Sequence, residues 1–384
     1  MAQGAAQSRV LVIGSQATAL TNFRGRLMAD LAALGHEVAA AAPHFGSAER
    51  EALAIHGVRP VELSMRRNGM NPFTDLALMR AVLALVRAER PSLVLTSTAK
   101  PNIWGAFAAA ATGVPSIAMV TGLGYAFTRP GPDAGARDRL RQRIANAAAR
   151  TLYRASTGLN RRVVFQNPDD RREFIETGCL ADASKAVLCD GSGVDLSLYA
   201  PAPLPAAPNV LMVSRLLGNK GVREYAGAAA LVKRRRPDAR FRLVGPLDDG
   251  PDGIGEREIA SWSAGGLEYL GPRADVRPAI ADASVCVLPS YREGTPRALL
   301  EAMAMGRPIV ASDAPGCRET VEHGRNGFLV PVRDPDALAD RLGALVDAPA
   351  ARARMGRHSR AMAERRYDVR HVNARLIEDL GLAA

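Results

Sequence analysis

The chain of 384 residues has few aromatic residues, few cysteines and no long apolar run. Aromatic residues make up 5% of it against 47% hydrophobic residues overall, a composition that suits a helix-rich α/β protein. Because the longest apolar stretches, such as residues 103–111, are too short to cross a bilayer, we predict no integral membrane segment. The opening MAQGAAQS has no basic region followed by an apolar run, so we expect a loose tail and not a signal peptide.

The residue types that usually hold metal ions are scattered along the sequence. The cysteines show no CxxC spacing, which favours inert thiols in a reducing cytosol over disulfides or a metal site; they are Cys179, Cys189, Cys286 and Cys317. The histidines show no HExxH spacing, no DxD triplet follows a strand, and the acid pair in LDDG, residues 247–250, is interpreted as a turn. We therefore predict neither a catalytic metal nor another cofactor.

The first strand-like run ends in GSQATALTNFRG instead of the GxGxxG that close approach of a dinucleotide requires. Gly14 stands alone there, and Asp30 and Glu37 are poorly placed to bind a ribose. An NAD-dependent oxidoreductase is therefore disfavoured.

The formal net charge is +11, and most of the excess lies in the first half of the chain. Residues 1–200 hold 23 Lys and Arg against 16 Asp and Glu, and residues 137–172 alone hold ten arginines. A helix over RDRLRQRIANAAARTLYR would carry arginines on one face and, on the other, Leu140, Ile144, Ala147, Ala148 and Leu152. We interpret this segment first as a solvated basic face on a core helix, with an anionic membrane surface or a diphosphate-bearing substrate as alternatives. Nucleic acid is disfavoured, because no aromatic stacking platform is interleaved.

Apolar strand-like runs alternate with helical patterns along the chain, which predicts parallel sheets with crossover helices. The first half contains RVLVIG, HEVAAAAP, RPVELS, SLVLTST, PSIAMVT and RVVFQN, with helices over about 20–34, 73–90 and 102–112. The second half restarts the cycle with NVLMVS, RFRLVG, LEYLG, SVCVLPS, RPIVASD and GFLVP. Since the chain also exceeds what one hydrophobic core usually organises, we predict two Rossmann-like, doubly wound domains.

The predicted boundaries follow from a proline-rich segment. We place an N-terminal domain at residues 1–197 and a C-terminal domain at residues 210–366. Between them LYAPAPLPAAPN, residues 198–209, contains four prolines and should form a stiff linker. A last helical segment, residues 367–384, lies beyond the final strand and can pack back onto the first domain. We expect the carboxyl ends of both sheets to face a central cleft, where open α/β sheets bind ligands.

The segment VSRLLGNKGVREY follows the first strand of the second domain. Arg215 and Lys220 lie five residues apart there, across a glycine-containing loop that opens a helix near Val222. A helix N-terminus favours an anion, and two cations beside it can neutralise a diphosphate. Such a pair would stabilise the charge that builds on a leaving diphosphate without a metal. The alternative is two surface cations on a loop.

A turn rich in Gly and Pro leads into a short helix in SYREGTPRALLEAMAMGRPIVASDAPG, residues 290–316. Thr295 can cap this helix with Pro296 at its first position, and Gly306 and Pro308 would end it.

The same stretch carries two acids eight residues apart. Glu293 would lie in the loop before the helix, and Glu301 about one and a half turns inside it. A shared-proton dyad or an acid/base pair at glycosidase spacing is therefore a poor fit. We interpret the acids as separate acceptors for two sets of sugar hydroxyls, which can offset the cost of burying a carboxylate. Alone, Glu301 is equally well explained as a structural or surface residue.

These motifs resemble a known family. EGTPRALLEAMAMGRPIVAS, with two Glu residues separated by seven others, resembles the signature of family-4 retaining glycosyltransferases of the GT-B fold. SRLLGNKG, GSGVDLSLYAP and ETVEHGRNGFLVP match other motifs of that family's C-terminal domain. The resemblance covers essentially the whole chain, is most specific from Val210 to Val332, and is looser in the first domain.

The resemblance implies roles for particular residues. Glu293 would be the catalytic residue facing the donor sugar near its anomeric centre, and Glu301 would hold the ribose hydroxyls. The diphosphate would be bound by Arg215, Lys220 and the helix start at Gly294, Thr295 and Pro296, with Gly271 and Arg273 near the base. Retention in this family is described as front-face attack assisted by the leaving phosphate, so it requires no dedicated protein nucleophile.

The first domain departs from the family pattern at one position. Many relatives carry His-Gly at the end of a first-domain strand, whereas VTGLGYAF places Thr121 at the His position, followed by Gly122. TGLGYAF and NFRGRLMADLAALGHEV look most like the branch that extends lipid-linked oligosaccharides, whose acceptor is a sugar on a polyprenyl diphosphate. Weaker candidates, just beyond strand ends on the acceptor or sugar side of the cleft, are Gly14, Asn22, Arg24 and Lys100.

The function we expect is a cytoplasmic, metal-independent, retaining glycosyltransferase. It would move a hexosyl or N-acetylhexosaminyl group from a nucleotide sugar, with UDP favoured, to a saccharide acceptor on a polyprenyl diphosphate. Contact with the inner face of the plasma membrane through residues 137–172 is the partner interaction that the charge suggests. The rivals are a nucleotide-sugar epimerase or phosphorylase on a similar scaffold, and a basic protein that binds nucleic acid or an anionic membrane. An epimerase should carry extra acids and histidines in the cleft, which the sequence does not indicate.

Overall fold

The computed structural model describes residues 8–65, 72–123, 127, 135–250 and 252–383. The chain divides into two compact units, the first made of Met1–Ser192 and Val372–Ala384, and the second of Gly193–His371. In this division, the predicted linker at residues 198–209 belongs to the second unit, and most of the last predicted segment belongs to the first.

The first unit contains a seven-stranded sheet in the order β3-β2-β1-β4-β5-β6-β7, with every neighbouring pair parallel. Its strands are β1 (Arg9–Ile13), β2 (Glu37–Ala42), β3 (Arg59–Glu62), β4 (Leu93–Ser97), β5 (Ser116–Val120), β6 (Arg162–Phe165) and β7 (Ala186–Leu188). Its helices are α1 (Ala17–Ala33), α2 (Ser47–Ala54), α3 (Pro72–Glu89), α4 (Ala99–Ala111), α5 (Ala136–Leu159) and α6 (Pro168–Glu176). Helices α1 and α2 pack together, and α4 packs between α3 and α5.

The second unit contains a six-stranded parallel sheet in the order β10-β9-β8-β11-β12-β13. Its strands are β8 (Asn209–Val213), β9 (Arg240–Val244), β10 (Leu267–Tyr269), β11 (Val285–Leu288), β12 (Ile309–Ser312) and β13 (Gly327–Val330). Its helices are α7 (Val222–Arg235), α8 (Glu256–Ala264), α9 (Arg277–Ala281), α10 (Arg297–Ala304), α11 (Pro335–Val346) and α12 (Pro349–Met362). A π-helical turn, Ala363–Tyr367, leads into α13 (Val369–Asp379).

Both predicted doubly wound sheets are confirmed, and their central strands explain why the sequence pattern was clear. Strands β4, β5, β11 and β12 are buried along their full length, so both faces of each strand are covered and the sequence is almost continuously apolar. Strand β7 was not predicted, because it is three residues long and only partly buried at the edge of its sheet.

The predicted core face of α5 is wrong in its first three turns. Leu140 and Ile144, which the pattern assigns to the core, are 59% and 60% exposed. Among the described side chains of this helix the first buried one is Ala149, followed by Tyr153 on the next turn. Periodicity identifies an apolar stripe on a helix, but it does not say whether the protein covers that stripe.

Two arginines hold the proline-rich segment against the rest of the second unit. Arg307, which is fully buried, donates to the carbonyl oxygens of Ala202 at 2.7 Å and Pro203 at 3.1 Å. Arg352 donates to Ala206 at 3.3 Å in the same way. A segment with four prolines offers few N–H donors, so its buried carbonyl groups must find side-chain partners.

The C-terminal residues complete the core of the first unit. Leu376, Ile377 and Leu380 are buried in the apolar cluster that also contains residues of β1, β2 and α1. The amide of Asn373 donates to Asp30 at 2.7 Å. Across the described ranges, no helix combines the length and the apolar character that a membrane crossing requires.

Candidate active site

In the second sheet the strand order reverses between β8 and β11: the chain adds β9 and β10 on one side of β8, and β11 to β13 on the other. In a doubly wound sheet the loops that leave the carboxyl ends of these two strands diverge to opposite faces, and ligands bind in the crevice between them. Here those loops are residues 214–221 after β8 and residues 289–296 after β11. They carry most of the residues that the motifs predict for the donor.

The two loops are fixed against each other by backbone contacts. A 3₁₀ turn, Gly218–Lys220, ends at Gly221, whose φ of +74° is in the left-handed region. A Cβ at Gly221 would lie 2.1 Å from the carbonyl oxygen of Pro289, so only glycine fits there. The backbone N–H of Tyr291 donates to the carbonyl of Asn219 at 2.9 Å. The glycine of the motif GNKG therefore sets how closely the two loops approach.

This close approach brings Lys220 and Glu293 together. Lys220 Nζ lies 2.5 Å from Glu293 Oε1, and the two side chains are 17% and 15% exposed. Both charges are therefore largely removed from bulk water. In such a partly buried position a pair of opposite charges interacts more strongly than on an open surface. Sequence reasoning assigned both residues to the donor but did not predict that they pair.

The loop after β12 also contacts Glu293. The backbone N–H of Glu293 donates to the carbonyl of Pro315 at 2.9 Å. Gly316, with a φ of +81°, approaches so closely that a Cβ would lie 2.3 Å from the carbonyl oxygen of Glu293. The sequence gives one signal for this contact, the DAPG turn directly after β12, but its role was missed.

Arg215 has an acidic partner in the LDDG segment. Its Nη1 lies 2.8 Å from Asp248 Oδ2, and the side chains are 40% and 15% exposed. The predicted turn is present, since the N–H of Gly250 donates to Asp248 Oδ1 at 2.9 Å. Asp248 thus closes a turn and also orients Arg215, a second role that the sequence did not reveal.

The predicted start of α10 is wrong. The helix begins at Arg297, and the N-cap is Pro296 with an extended backbone and no side-chain cap bond. Thr295 therefore lies one residue before the cap and does not cap the helix. Proline fits this position because its fixed φ suits an extended N-cap and its missing N–H is not needed there. The N–H groups of a first helical turn have no intrahelical partner, which leaves them suited to an anion.

Glu301 lies in the second turn of α10, in a different environment from Glu293. It is 9% exposed, accepts a hydrogen bond from the hydroxyl of Tyr199, and has Arg297 Nε 3.2 Å from its Oε1. Burial raises the pKa of Glu301 above its ordinary value, and the positive charge of Arg297 opposes the rise. The two acids therefore have separate partners. Tyr199 was missed, although it stands in the quoted motif GSGVDLSLYAP.

The loops after β9 and β10 also meet near this edge of the sheet. The N–H of Gly245 donates to the carbonyl of Gly271 at 3.1 Å, and the hydroxyl of Tyr269 donates to the carbonyl of Gly245 at 2.9 Å. Gly245 has a φ of +149° and would place a Cβ 1.7 Å from Ser214 O, which requires glycine. Arg273 is exposed. These contacts place Gly271 in the cluster of loops that follows β8, β9 and β10.

In the first unit, Gly14 and Lys100 lie where the motifs predict, just after strands. The N–H of Gly14 donates to the carbonyl of Ala41 at 2.9 Å. Lys100, in the first turn of α4, pairs with Asp75 at 3.0 Å, and both side chains are largely buried. Thr121 follows β5, and Gly122 has a φ of +124° that favours glycine.

Two of the weaker candidates in the first unit are displaced from their predicted positions. Asn22 and Arg24 lie inside α1, not in the loop before it, because this helix begins at Ala17. Asn22 is exposed, whereas Arg24 is buried. Of the quoted stretch TGLGYAF, residues 124–126 lie outside the described residues.

No three side chains among His, Cys, Asp and Glu group into a possible metal site anywhere in the described part of the chain. That the protein works without a metal remains a prediction.

Comparison with known proteins defines the class first. The fold is similar to sucrose-phosphate synthase of Thermosynechococcus elongatus, with a TM-score of 0.78 and 20% identity over 98% of this chain and all of that one. It is also similar to Anabaena HepE in complex with UDP-glucose, with a TM-score of 0.75 and 20% identity over 98% of this chain and all of that one. These likenesses establish the GT-B fold.

The sequence comparisons give the family. Residues 20–191 match the Glycosyl transferase 4-like domain, and residues 207–348 match Glycosyl transferases group 1. The chain therefore belongs to the glycosyltransferase family whose members carry these two domains.

Two curated relatives show how far the similarity extends. The chain is 26% identical over 318 residues to the N,N'-diacetylbacillosaminyl-diphospho-undecaprenol alpha-1,3-N-acetylgalactosaminyltransferase of Campylobacter jejuni, spanning 79% of this chain and 80% of that one. It is 34% identical over 198 residues to the D-inositol 3-phosphate glycosyltransferase of Streptomyces scabiei, spanning 45% of this chain and 43% of that one.

Proposed function

We propose that this chain is a retaining glycosyltransferase that moves a hexosyl or N-acetylhexosaminyl group from a UDP-sugar to a saccharide on a polyprenyl diphosphate. The observation that carries the proposal is the Lys220–Glu293 pair. It lies where the strand order of the second sheet reverses, in loops that Gly221 and Gly316 allow to approach closely. A fixed ammonium beside a fixed carboxylate matches a donor with a charged diphosphate next to a hydroxyl-rich sugar.

In this proposal the cations of the second unit bind the diphosphate. Lys220 and Arg215 donate to phosphate oxygens, and the start of α10 at Gly294, Thr295 and Pro296 adds the field of a helix N-terminus. As the bond to the sugar breaks, negative charge grows on the leaving diphosphate, and these fixed donors stabilise it. No metal is required for that task.

The two acids bind hydroxyl groups of the donor. Glu293 accepts from the sugar while remaining paired with Lys220, and Glu301 accepts from the ribose. Glu301 is the more buried acid, so the ribose hydroxyls replace water as donors to it. Gly271 and Arg273 lie on the loop that we assign to the base.

The family resemblance implies retention, and the state of Glu293 agrees with a course that uses no protein nucleophile. A carboxylate held 2.5 Å from an ammonium is stabilised as a hydrogen-bond acceptor and is a weak nucleophile. We therefore assign the attack to the acceptor hydroxyl. Retention then requires this hydroxyl to attack on the face from which the phosphate leaves, with that phosphate taking the proton. Atoms balance without a glycosyl-enzyme intermediate: the sugar–phosphate bond breaks, the new glycosidic bond forms, and the proton passes to UDP.

The acceptor class rests on the Campylobacter jejuni relative, whose name specifies a saccharide on diphospho-undecaprenol. In the first unit we assign the acceptor or sugar side to Gly14, Lys100, Thr121 and Gly122. We keep Asn22 and Arg24 only as weak candidates, because both lie within α1.

The experiment is a screen of UDP-sugars against short polyprenyl-diphosphate saccharides, with product detection by mass spectrometry. We expect transfer by the wild type and loss of transfer in Lys220→Met and Glu293→Gln. The matched control is Arg325→Ala, which breaks an exposed ion pair of 2.9 Å in the same unit and should keep full activity. Full turnover in both site variants would overturn the assignment, and an epimerised donor without transfer would favour the rival enzyme class.

A further inference from the structure

Arg333 has a backbone conformation that arginine rarely adopts. It lies in the loop between β13 and α11, and its φ of +60° is in the left-handed region. The next residue, Asp334, caps α11 by accepting from the N–H of Ala337 at 2.8 Å. Glycine would adopt the same conformation at position 333 at lower cost. A strained residue other than glycine at the edge of a candidate site indicates that its side chain has a function.

The side chain of Arg333 covers the ring of Tyr291, in the loop after β11. The central carbon of the guanidinium lies 4.6 Å from the centre of the ring, which is the distance of a cation–π contact. Arg333 is exposed, whereas Tyr291 is partly buried. The guanidinium therefore covers one face of a ring that belongs to the same loop as Glu293.

Tyr291 connects the two loops that carry the Lys220–Glu293 pair. Its hydroxyl donates to Glu224 Oε1 at 2.5 Å, in the first turn of α7, and its backbone N–H donates to the carbonyl of Asn219 at 2.9 Å. Asn219 and Glu224 lie on either side of Lys220 in the sequence, and Glu293 follows Tyr291 by two residues. The two bonds of Tyr291 therefore help to fix how closely the loop of Glu293 approaches the loop of Lys220.

The environment of Tyr291 favours its role as a hydrogen-bond donor. Burial raises the pKa of Tyr291 above its ordinary value, and the bond to Glu224 raises this pKa further, so the hydroxyl remains protonated. A hydrogen bond to a carboxylate is stronger than one between neutral groups, and it strengthens further where water competes less.

We propose that Arg333 is a positioning residue for the transfer reaction and acts through Tyr291. Its guanidinium keeps the ring against α7 and limits the access of water to the Tyr291–Glu224 bond, and this bond holds Glu293 beside Lys220. The inference rests on the proposed function, in which Lys220 and Glu293 bind the donor. A displacement of the loop by about 1 Å would misplace the bound sugar relative to the attacking hydroxyl, which can slow the chemical step on the order of 100-fold.

Arg333→Gly separates this role from a contribution to stability. The substitution removes the stacking side chain and also the strain of the left-handed backbone, so we expect the urea midpoint to stay close to that of the wild type. We expect kcat to fall about tenfold and the donor KM to change less than about threefold, because the donor contacts remain while their alignment is lost. The kinetics use the UDP-sugar and the polyprenyl-diphosphate saccharide that the screen described above selects.

Two further variants serve as controls. Arg90→Gly is matched in residue type and backbone conformation, since Arg90 is exposed and has a φ of +46°, but it precedes β4 in the first unit. This variant should keep the wild-type kcat. Arg333→Lys retains a cation that can lie over the ring, so it should recover part of the kcat that Arg333→Gly loses.

Tyr291→Phe tests whether Arg333 acts through the Tyr291–Glu224 bond. Phenylalanine keeps a ring beneath the guanidinium but removes the hydroxyl. We expect kcat of this variant to fall about as far as in Arg333→Gly, and kcat of the double variant to fall little further. Two losses that multiply in the double variant would overturn the proposal. An unchanged kcat in Arg333→Gly, or a loss that only accompanies a lower urea midpoint, would also overturn it.

Hydrogen exchange measured by mass spectrometry provides a readout that needs no activity. Peptides that cover residues 215–224 and 289–296 should exchange faster in Arg333→Gly than in the wild type, because the two loops open more often. If the wild type transfers no sugar, the proposed function fails, and this measurement decides by itself whether Arg333 holds the loops. Equal exchange in the two proteins would overturn the proposal.

Discussion

Lys220 and Glu293 form an ion pair of 2.5 Å although they belong to loops that follow two different strands. The pair exists because β8 and β11 are neighbours in the sheet and because Gly221 and Gly316 let three loops approach closely. A single geometric arrangement thus connects the order of strands to the residues that we assign to the donor.

Breaking this pair should affect stability and activity differently. Lys220→Met leaves the largely buried carboxylate of Glu293 without its partner, and Glu293→Gln leaves the ammonium of Lys220 without an opposite charge. We expect each substitution to lower the free energy of unfolding by about 1–3 kcal/mol. The double variant should recover part of that loss but none of the transfer activity. Urea unfolding and transfer assays on all four proteins check this, and a double variant with restored activity would contradict it.

Gly221 and Gly316 should not tolerate alanine. Each has a positive φ, and a new Cβ would lie 2.1 Å and 2.3 Å, respectively, from a carbonyl oxygen of the loop around Glu293. We expect either substitution to destabilise by about 1–3 kcal/mol and to lower kcat/KM for the donor by about tenfold or more. The control is Gly343→Ala in α11, where a Cβ meets nothing within 4 Å and alanine should be neutral or stabilising by up to about 1 kcal/mol.

Donor binding should weaken at acidic pH through Glu301. Burial raises the pKa of Glu301 in the folded chain, with Asp275 adding to the rise, while Arg297 and Tyr199 oppose it. The ribose hydroxyls need an ionised acceptor, so the KM for the donor should increase as pH falls through this raised pKa, above the ordinary range of Glu. Glu301→Gln should show a high KM that no longer changes across that range. A wild-type KM that is flat over the same pH range would contradict the assignment.

The raised pKa of Glu301 also predicts how the free energy of unfolding changes with pH. Since the folded chain binds the Glu301 proton more tightly than the unfolded chain, the contribution of this group to stability is favourable below the raised pKa and is lost as pH rises through it. The free energy of unfolding of Glu301→Gln, minus that of the wild type, should therefore be more positive at neutral pH than at acidic pH. Chemical denaturation at the two pH values measures this difference, and the opposite sign would contradict burial as the dominant cause.

Tyr199 should act as a positioning residue for Glu301. Tyr199→Phe removes the hydroxyl that donates to this carboxylate, so we expect the donor KM to rise several-fold, equivalent to about 0.5–1.5 kcal/mol, with kcat little changed. The acidic limb of the KM profile should move to higher pH, because the hydroxyl lowers the pKa of Glu301. Tyr225→Phe is the control: its hydroxyl bonds two backbone carbonyls, so it should lose stability without a change in KM.

The sheets could be predicted because buried parallel strands are apolar on both faces, and β4, β5, β11 and β12 follow that pattern fully. Short or exposed features could not. The pattern missed β7, and Leu140 and Ile144 were assigned to a core that does not cover them.

For the residues that we assign to the donor, the sequence predicted their positions in the fold but not their pairing. Motif spacing placed Lys220 and Glu293 in the loops that follow β8 and β11, and Glu301 inside α10. The pairing of Arg215 with Asp248 and of Tyr199 with Glu301 depends on loops that only the tertiary fold brings together. The start of α10 was misplaced because Pro296 satisfies local rules equally well at the first helical position and at the cap.

The most direct test of the central claim is the anomeric configuration of the product, measured by NMR after transfer from an α-linked UDP-sugar to a short polyprenyl-diphosphate saccharide. We predict an α-linked product made by the wild type and absent in Glu293→Gln. A β-linked product would contradict the retaining mechanism, and undiminished transfer by Glu293→Gln would contradict the site itself.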